Sequence, residues 1–422
     1  MKRRKYLLAC LLAGVTIAMP AGQLSFAAGA QNDISLMAES ESQSETQSES
    51  QSESETQSES QSESQSESET QSESQSESQS ESETQSESQS ESEKESETET
   101  QDPNVPEGYK GIYKVSDLSL LSSKPDGKYM LMADLDLNSA EQASISVFRG
   151  TLDGNNHTIK GLKHALFQVL EEGTVSNLNL SSVQISGSGD AGALANVIGT
   201  GKKSAVTIQN ITITGSVTGT GNTGSLAGVL KGTDIVISRI ANSATVAGTA
   251  NAGGLIGLVQ ATDDQEGAAS VKLTESYNIG EVSAVTAGGL IGAAEIPNLA
   301  AARNIEIANC YNAGVLEKGA NIVAKITAGN GQVVINKCVG IQFYYSVASG
   351  MVGTSTMAAG STQTSGCSIS NSYYYSMNPV YAFETGNCIT GTATALNDVQ
   401  IKTQSYFKDF DFDGIWALNA AE

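Results

Sequence analysis

The chain contains very few of the residues that build catalytic and metal sites. Among its 422 residues are two histidines, His157 and His164, and outside the basic N-terminus there are only three arginines. The two histidines form no His-Glu-x-x-His pattern, whereas a catalytic zinc ion needs two or three nitrogen or carboxylate ligands at helical spacing. In "GTGKKS" (199–204), Lys203 stands where a phosphate loop has Ser or Thr. We therefore expect no catalytic residues, no metal, no cofactor and no nucleic-acid partner.

Long apolar stretches are absent after residue 30, and about 20 consecutive apolar residues are needed to cross a bilayer. Residues 1–30 have the basic start, the apolar middle and the small residues near Ala27 and Ala30 that are typical of an export signal. Two alternatives stay open: an uncleaved signal that anchors the chain, and lipidation at Cys10. The sequence predicts a secreted or cell-surface protein without further membrane insertion.

Aromatic and aliphatic residues are almost missing from residues 38–100, which consist of Ser, Glu, Gln and Thr with few exceptions. This stretch carries most of the formal net charge of −24. A segment that cannot bury apolar surface stays disordered, and repulsion between its charges extends it. We predict that residues 31–103 are a disordered acidic spacer.

Glycine and β-branched residues are abundant in the remainder, and their arrangement repeats. The hexapeptide "AGGLIG" occurs at 252–257 and 287–292, with related segments before and after. The first large apolar residues of the six copies are Leu194, Leu226, Leu255, Leu290, Ile322 and Met351. A second pattern, "SYNIGEV" and "CYNAGVL", recurs in phase with the first. Periods of about 30 residues indicate stacked repeats. In such a stack, the six apolar residues would form one buried structural ladder.

Apolar and small polar residues alternate within each repeat, which predicts short β-strands. Stacked repeats of three strands and three bends predict an all-β parallel β-helix, with equivalent residues about 4.8 Å apart. A β-sandwich of hairpins is the alternative, although the long regular period argues against it. The expected parts are N-terminal coils and a cap over 104–190, repeats over 191–355, and a C-terminal coil and cap over 356–422.

The "GGLIG" and "YN" patterns, together with "FRGTLDGNNHTIKGL" and "FKDFDFDGIWAL", resemble the GLUG-motif repeats of bacterial surface proteins. The resemblance spans roughly residues 107–418. It implies a right-handed parallel β-helix, as found in adhesins and in regions next to immunoglobulin-cleaving metalloproteases. The closing "NAAE" departs from the tyrosine-proline ending of the family pattern.

Four cysteines follow the signal, and an exported protein is permitted disulfides. Alignment of the second pattern places Cys310 and Cys338 on adjacent repeats, either as a disulfide or as stacked thiols. Cys367 and Cys388 flank an aromatic segment and are candidates for a disulfide that staples the C-terminal loop.

Aromatic residues are concentrated near the C-terminus, and two interpretations stay open. The candidates for a ligand or partner surface are Tyr344, Tyr345, Tyr373, Tyr374, Tyr375 and Tyr381. Tyrosine rings can pack on sugars or on a protein partner. Alternatively, these aromatic residues cap the open end of the strand stack.

The segment "DFDFDG" (409–414) has the opening of a calcium loop, but Ala420 stands where such a loop has a bidentate glutamate. Alternation offers another interpretation, a capping strand in which Phe410 and Phe412 face the core and the aspartates face water.

The functional hypothesis from sequence is a non-enzymatic adhesin that presents polar ladders and an aromatic patch to an unknown glycan or protein at a cell surface. The first alternative is a carbohydrate-active β-helix enzyme, which would need paired carboxylates. The second alternative is a passive structural module of a surface assembly.

Overall fold

The structure, a computed structural model, describes residues 15–17, 102–139, 144–200, 204–232, 234–261, 270–298, 302–316, 318–342, 349–376, 381–386 and 388–418. β-Strands dominate these residues, and most strand pairs are parallel. The predicted signal (1–30) and the acidic spacer (31–103) lie almost entirely outside the described residues. The described chain is therefore a mostly β protein with long parallel sheets.

Three groups of parallel strands make up the fold. A nine-stranded sheet contains Ile145–Phe148, Phe167–Leu170, Ala195–Ile198, Ala227–Lys231, Ile256–Gln260, Ile291–Ile296, Val323–Ala328, Val352–Met357 and Phe383–Gly386. A three-stranded sheet contains Thr223–Gly224, Asn251–Gly253 and Thr286–Gly288. The third group contains Lys110–Ile112, Lys128–Leu131, Leu135–Asp136, Thr151–Asp153, Thr158–Lys160, Gly173–Gly187, Ala205–Gly219, Asp234–Asn242, Thr245–Gly248, Ser270–Thr274, Tyr277–Asn278, Val282–Ser283, Arg303–Ala308, Tyr311–Asn312, Gly331–Asn336, Val339–Gln342, Cys367–Ser376 and Ile389–Ala395.

Short helices flank the strands. They are the 3-10 helices Val115–Leu118, Gln400–Lys402 and Gln404–Tyr406 and the α-helix Ser119–Ser123. The 3-10 helix Val115–Leu118 and the α-helix Ser119–Ser123 cover the N-terminal strands. They bury Leu118 and Leu121 in the main core. The strand Trp416–Leu418 pairs antiparallel with Val15–Ile17. In the described part of the chain, no helix has the length and apolar character to cross a membrane.

Successive repeats pair in parallel register across the nine-stranded sheet. Ala227 pairs with Ile256, and Ile256 pairs with Ile291. The residue directly before each of these paired positions belongs to the hexapeptide. The six residues at this position are fully buried: Leu194, Leu226, Leu255, Leu290, Ile322 and Met351. The backbone N–H of each of the first five donates to the carbonyl of the next at 2.9–3.3 Å. Equivalent side chains are therefore stacked along one line, where each shields its neighbours from water.

A left-handed bend recurs at one position of seven successive repeats in the third group. The bend residues are Asn177, Asn210, Arg239, Glu275, Asn309, Lys337 and Asn371, with φ between 44° and 56°. The residue after each bend points into the core, and the register of Ile211 with Ile240 agrees with the alignment of the second sequence pattern. The residues that follow the last four of these bends carry the candidate site. At Glu275, Asn309 and Lys337 the bend lies between two strands, whereas Asn371 lies within the strand Cys367–Ser376.

Four asparagines form a hydrogen-bonded column inside the protein. The Nδ2 atom of Asn242 donates to Oδ1 of Asn278 at 2.6 Å, Asn278 donates to Asn312 at 2.8 Å, and Asn312 donates to Asn321 at 2.8 Å. The side chain of Asn278 also accepts from the N–H of Gly280 at 3.0 Å and donates to its carbonyl at 2.9 Å. All four asparagines are fully buried, so these bonds replace water for groups that would otherwise be costly to bury.

The two repeated sequence patterns meet at this column. A Cβ atom at Gly254 or Gly289 would overlap with a column asparagine, which is Asn312 in the second case. In the following repeat the two residue types are exchanged. Asn321 occupies the hexapeptide position and Gly340 pairs with Asn312 in the column. Glycine on one side therefore makes the space that the asparagine on the other side fills.

The four cysteines are buried and free in the structure. Burial raises the pKa of the Cys310 thiol well above its ordinary value, and a hydrogen bond with Cys338 is the second cause. Burial also raises the pKa of Cys367 to about 12. The thiol of Cys388 lies 2.7 Å from the hydroxyl of Ser355. The Cys367–Cys388 disulfide therefore stays a prediction.

Alkylation of the folded protein with iodoacetamide at pH 8 is expected to label none of Cys310, Cys338, Cys367 and Cys388, because all four thiols are buried away from the reagent and burial raises the pKa of Cys310 and Cys367. Unfolding should expose Cys310 and Cys338 to complete labelling. Cys367 and Cys388 should then be recovered either labelled or as a disulfide-linked peptide, which decides the predicted bridge. Peptide mass mapping measures both, and labelling of Cys310 in the folded protein would contradict its burial.

Candidate functional site: an aromatic strip and its C-terminal cover

A line of aromatic and aliphatic side chains runs across the short strands of four successive repeats. We call it the aromatic strip. Its first column is Tyr277, Tyr311, Val339 and Tyr373, and its second column is Ile279, Ala313, Ile341 and Tyr375. The residues between the columns include Asn278, which faces the core. Since side chains alternate along a strand, the strip lies on the opposite, outer side of these strands.

The same outer positions are polar in the preceding repeats. In register with the first column lie Thr158, Asn179 and Thr212, followed by Ala241 beside Tyr277. Lys160 pairs with Ser181 at the second position. The outer surface thus changes from polar or small residues to aromatic ones at the repeat that contains Tyr277, which is where the "YN" pattern begins in the sequence.

Residues 396–418, which we call the C-terminal segment, pack on the strip. Leu396, Ile401, Phe407, Phe410 and Trp416 join the strip residues in a hydrophobic cluster separate from the main core. The segment covers the outer side of the repeats. It therefore buries apolar surface that a soluble protein rarely leaves exposed.

Ring contacts and three hydrogen bonds hold the C-terminal segment in place. Tyr373 contacts Phe407 and Phe410 edge-on, with ring centroids 5.1 and 5.6 Å apart. Trp416 lies 4.6 Å from Phe410 and 6.3 Å from Tyr311. The N–H of Lys408 donates to the Tyr373 hydroxyl at 2.8 Å. The N–H of Leu396 donates to the carbonyl of Tyr374 at 2.8 Å, and the Trp416 indole donates to Asn309 at 3.4 Å.

The two tyrosines at the N-terminal end of the strip stack on each other. The rings of Tyr277 and Tyr311 lie 4.9 Å apart and only 8° from parallel. Burial raises the pKa of Tyr277 and raises that of Tyr311 well above its ordinary value. Both hydroxyls therefore stay uncharged in neutral solution. Next to this pair, Ile279 is 40% exposed, so the strip continues beyond its cover.

The structure separates the six tyrosines proposed as a ligand surface. Tyr373 and Tyr375 are buried beneath the C-terminal segment. Tyr374 points to the other side of its strand and packs against the main core. Tyr381 is 82% exposed. Tyr344 and Tyr345 lie outside the described residues, so a surface role for them stays a prediction.

The "DFDFDG" segment is part of this cover. Phe410 is buried, Phe412 is half-buried, and the aspartates are exposed, as alternation predicted. The segment forms turns rather than a strand, because Asp411 accepts hydrogen bonds from the N–H groups of Asp413 and Gly414 at 3.0 Å. It covers the outer side of the repeats, whereas the sequence predicted a capping strand.

Charged groups elsewhere on the described surface include two small clusters. Arg149 lies between Asp126 at 2.7 Å and Glu171 at 3.2 Å, and it lowers the pKa of the Asp126 carboxyl. Asp134 accepts a hydrogen bond from the N–H of Thr158, which lowers its pKa, and lies 3.0 Å from Nδ1 of His157. Within the described ranges, no three His, Cys, Asp or Glu residues come together as a metal site.

Sequence reasoning missed the strip as a unit. The signal was present in "SYNIGEV" and "CYNAGVL", where a tyrosine precedes each core asparagine. Val339 and Ile341 continue the strip without aromatic rings, so a search for tyrosine clusters stops short of them. Only the strand register shows that these residues share one face.

Fold and site together define a repeat protein of parallel β-strands with a covered aromatic strip. Residues 113–215 match the family model of the M26 IgA1-specific metallo-endopeptidase N-terminal region. Over 116 residues the chain is 34% identical to an immunoglobulin A1 protease of Streptococcus sanguinis. This alignment covers 25% of this chain and 6% of the relative. It is 32% identical over 124 residues to halomucin of Haloquadratum walsbyi, covering 24% of this chain and 1% of the relative.

Among solved structures, one titled IgA1 Protease aligns at 20% identity and a TM-score of 0.43, covering 63% of this chain and 21% of that one. The chain thus spans a small part of the length of the relatives that it matches. The comparisons support similarity to the N-terminal region of IgA1 proteases. They do not extend to the GLUG-motif family that the sequence patterns resemble.

The comparisons overturn the assignment of this chain to a non-enzymatic class. The matching family model is that of a metallo-endopeptidase, and relatives are named as proteases, so the similarity points to a protease family. The matched part is a partial, non-catalytic region of that family. The scarcity of histidine was therefore a poor predictor of the protein family, because it describes only the residues of this chain.

Proposed function

We propose that the described repeats form a right-handed parallel β-helix on a secreted or cell-surface protein, and that the aromatic strip binds an extracellular ligand in adhesion. The recurring register, with equivalent residues about 30 positions apart, supports a helical stack of repeats. A rigid stack of this kind holds surface side chains at defined spacings, which suits recognition of an extended ligand.

The observation that carries this proposal is the uncovered end of the strip. Ile279 is exposed beside the stacked rings of Tyr277 and Tyr311, whereas the positions in register with Tyr277 in the preceding repeats are the small or polar residues Thr158, Asn179, Thr212 and Ala241. Aromatic residues at the edge of an apolar patch are frequent anchors of binding interfaces. The names of the relatives make immunoglobulin A1 the first ligand to test, followed by host glycans and matrix proteins.

The test is binding of the full secreted chain to immobilised immunoglobulin A1 and to a glycan and extracellular-matrix array. We expect binding to at least one probe, with an Ile279→Asp variant binding at least tenfold more weakly. Val236→Asp is the matched control, because Val236 is 41% exposed but lies on a long strand away from the strip. Gel analysis of the immunoglobulin after incubation shows in parallel whether the chain has the activity for which its relatives are named.

Absence of binding to every probe would end the adhesion proposal. Equal losses in Ile279→Asp and Val236→Asp would assign the binding to another surface.

A further inference from the structure

We propose that the aromatic strip is a binding site for an extended, aromatic-rich polypeptide segment of a partner protein, and that the C-terminal segment of this chain occupies the site in competition with it. This inference rests on the proposed binding role of the strip. It adds the chemical class of the ligand and the way in which the ligand enters.

The C-terminal segment shows what the strip accepts. Its aromatic anchors Phe407, Phe410 and Trp416 are three and six residues apart, and each contacts a ring of the strip or another anchor. Its backbone donates a hydrogen bond to the Tyr373 hydroxyl. Asp409, Asp411 and Asp413 are exposed between the anchors, so apolar rings contact the strip while the carboxylates face water.

The cover can separate from the strip without opening the core. The main core and the cluster formed by the strip and the C-terminal segment have no residue in common. The side chains of the strip lie on the outer face of the repeats, whereas the main core lies inside them. The C-terminal segment itself consists of turns, two three-residue 3-10 helices and a three-residue strand that pairs with only three residues, Val15–Ile17. Short elements of this kind open at a lower free-energy cost than a sheet.

The strip also has an entry point for a competitor. Ile279 is exposed, and Tyr277 is half-buried at the end of the strip beyond Trp416. A partner segment can first place an aromatic side chain against these two residues. It can then replace Trp416 on Tyr311 and continue along the strip toward Tyr373, exchanging one set of ring contacts for another at each step.

The test uses a fluorescein-labelled synthetic peptide of residues 404–418 and the full chain. A Phe410→Ala/Trp416→Ala variant, in which the cover has lost two anchors, should bind the peptide at least tenfold more tightly than the natural chain. Adding Tyr311→Ala and Tyr373→Ala to that variant should reverse the gain. Tyr406→Ala is the matched control, because Tyr406 belongs to the same segment, is 44% exposed and lies outside the cluster; it should bind like the natural chain.

Trp416 is the only tryptophan of the chain, so its fluorescence reports on the cover directly. The same peptide with Phe in place of its Trp should shift the emission of the natural chain to longer wavelength as Trp416 is displaced. Equal peptide binding by the natural chain and the two-anchor variant would overturn the inference, as would no binding by either. If Ile279→Asp still binds the array more weakly than the natural chain in that case, the adhesion proposal holds and only the displacement of the C-terminal segment is ruled out.

Discussion

Replacement of Asn278 by alanine is expected to lower the free energy of unfolding by about 4 kcal/mol or more. Four hydrogen bonds disappear, to Asn242, Asn312 and both backbone groups of Gly280. Each partner left without a bond in a buried site costs about 1–3 kcal/mol. Neighbouring asparagines then lose their alignment as well, so the effect should extend along the column.

Chemical denaturation followed by circular dichroism measures this effect. Asn304→Ala serves as the control, because Asn304 is exposed and its side chain accepts a hydrogen bond from the N–H of Gln332 at 3.2 Å. We expect the control to change stability by less than about 1 kcal/mol, as is usual for surface substitutions. Equal destabilisation by the two variants would show that the buried column has no special weight.

The second large effect concerns the exchanged pair Asn321 and Gly340. Gly340→Asn alone is expected to destabilise strongly, because a Cβ at this position would overlap with the carbonyl of Gly350 and with Asn321. Asn321→Gly alone removes the acceptor of the Asn312 amide. The double variant restores the glycine-and-asparagine arrangement of the preceding repeat, where Gly289 faces Asn312.

A double-mutant cycle measures whether the two positions are coupled. We expect the double variant to be more stable than the sum of the single effects predicts, by at least about 1 kcal/mol, which is typical of residues in contact. Recovery should be partial, because the Gly350 carbonyl remains close to position 340. Additive losses would mean that the exchange of residue types between the repeats is not compensatory. Gly340→Ala, with the smaller side chain, should show weaker coupling to Asn321.

The candidate site was only partly predictable from sequence. Concentration of aromatic residues near the C-terminus pointed to a ligand surface or to a cap on the open end of the strand stack. The structure shows an aromatic strip that the C-terminal segment covers from the outer side, and the ligand surface stays a prediction. Tyr373 and Tyr375 belong to the strip, while Tyr374 faces inward, because neighbours on a strand point to opposite sides. A run of three tyrosines cannot be divided in this way until the register of its strand is known. The covering role of Trp416 depends on a contact more than 100 residues away along the chain, at Asn309.

The bends show the same limit from another direction. Asn177, Asn210 and Asn309 are residues that tolerate positive φ, and local sequence can suggest a bend there. Arg239 and Glu275 occupy the same bend in other repeats, although nothing in their chemistry favours it. Parallel pairing with the repeats above and below holds these two residues in a conformation that they would otherwise avoid.

The sequence by itself determined the local features of the protein. These are repeats of about 30 residues, β-strands, core positions at Leu255 and Leu290, and an acidic segment outside the repeats. These follow from local periodicity, because alternation and regular spacing are properties of neighbouring residues. The tertiary structure alone decided which residues face each other across repeats. Asn278 reaches Asn312, Gly289 makes room for that asparagine, and the C-terminal segment covers the outer face, because burial and hydrogen bonding are settled between strands that are far apart in the chain.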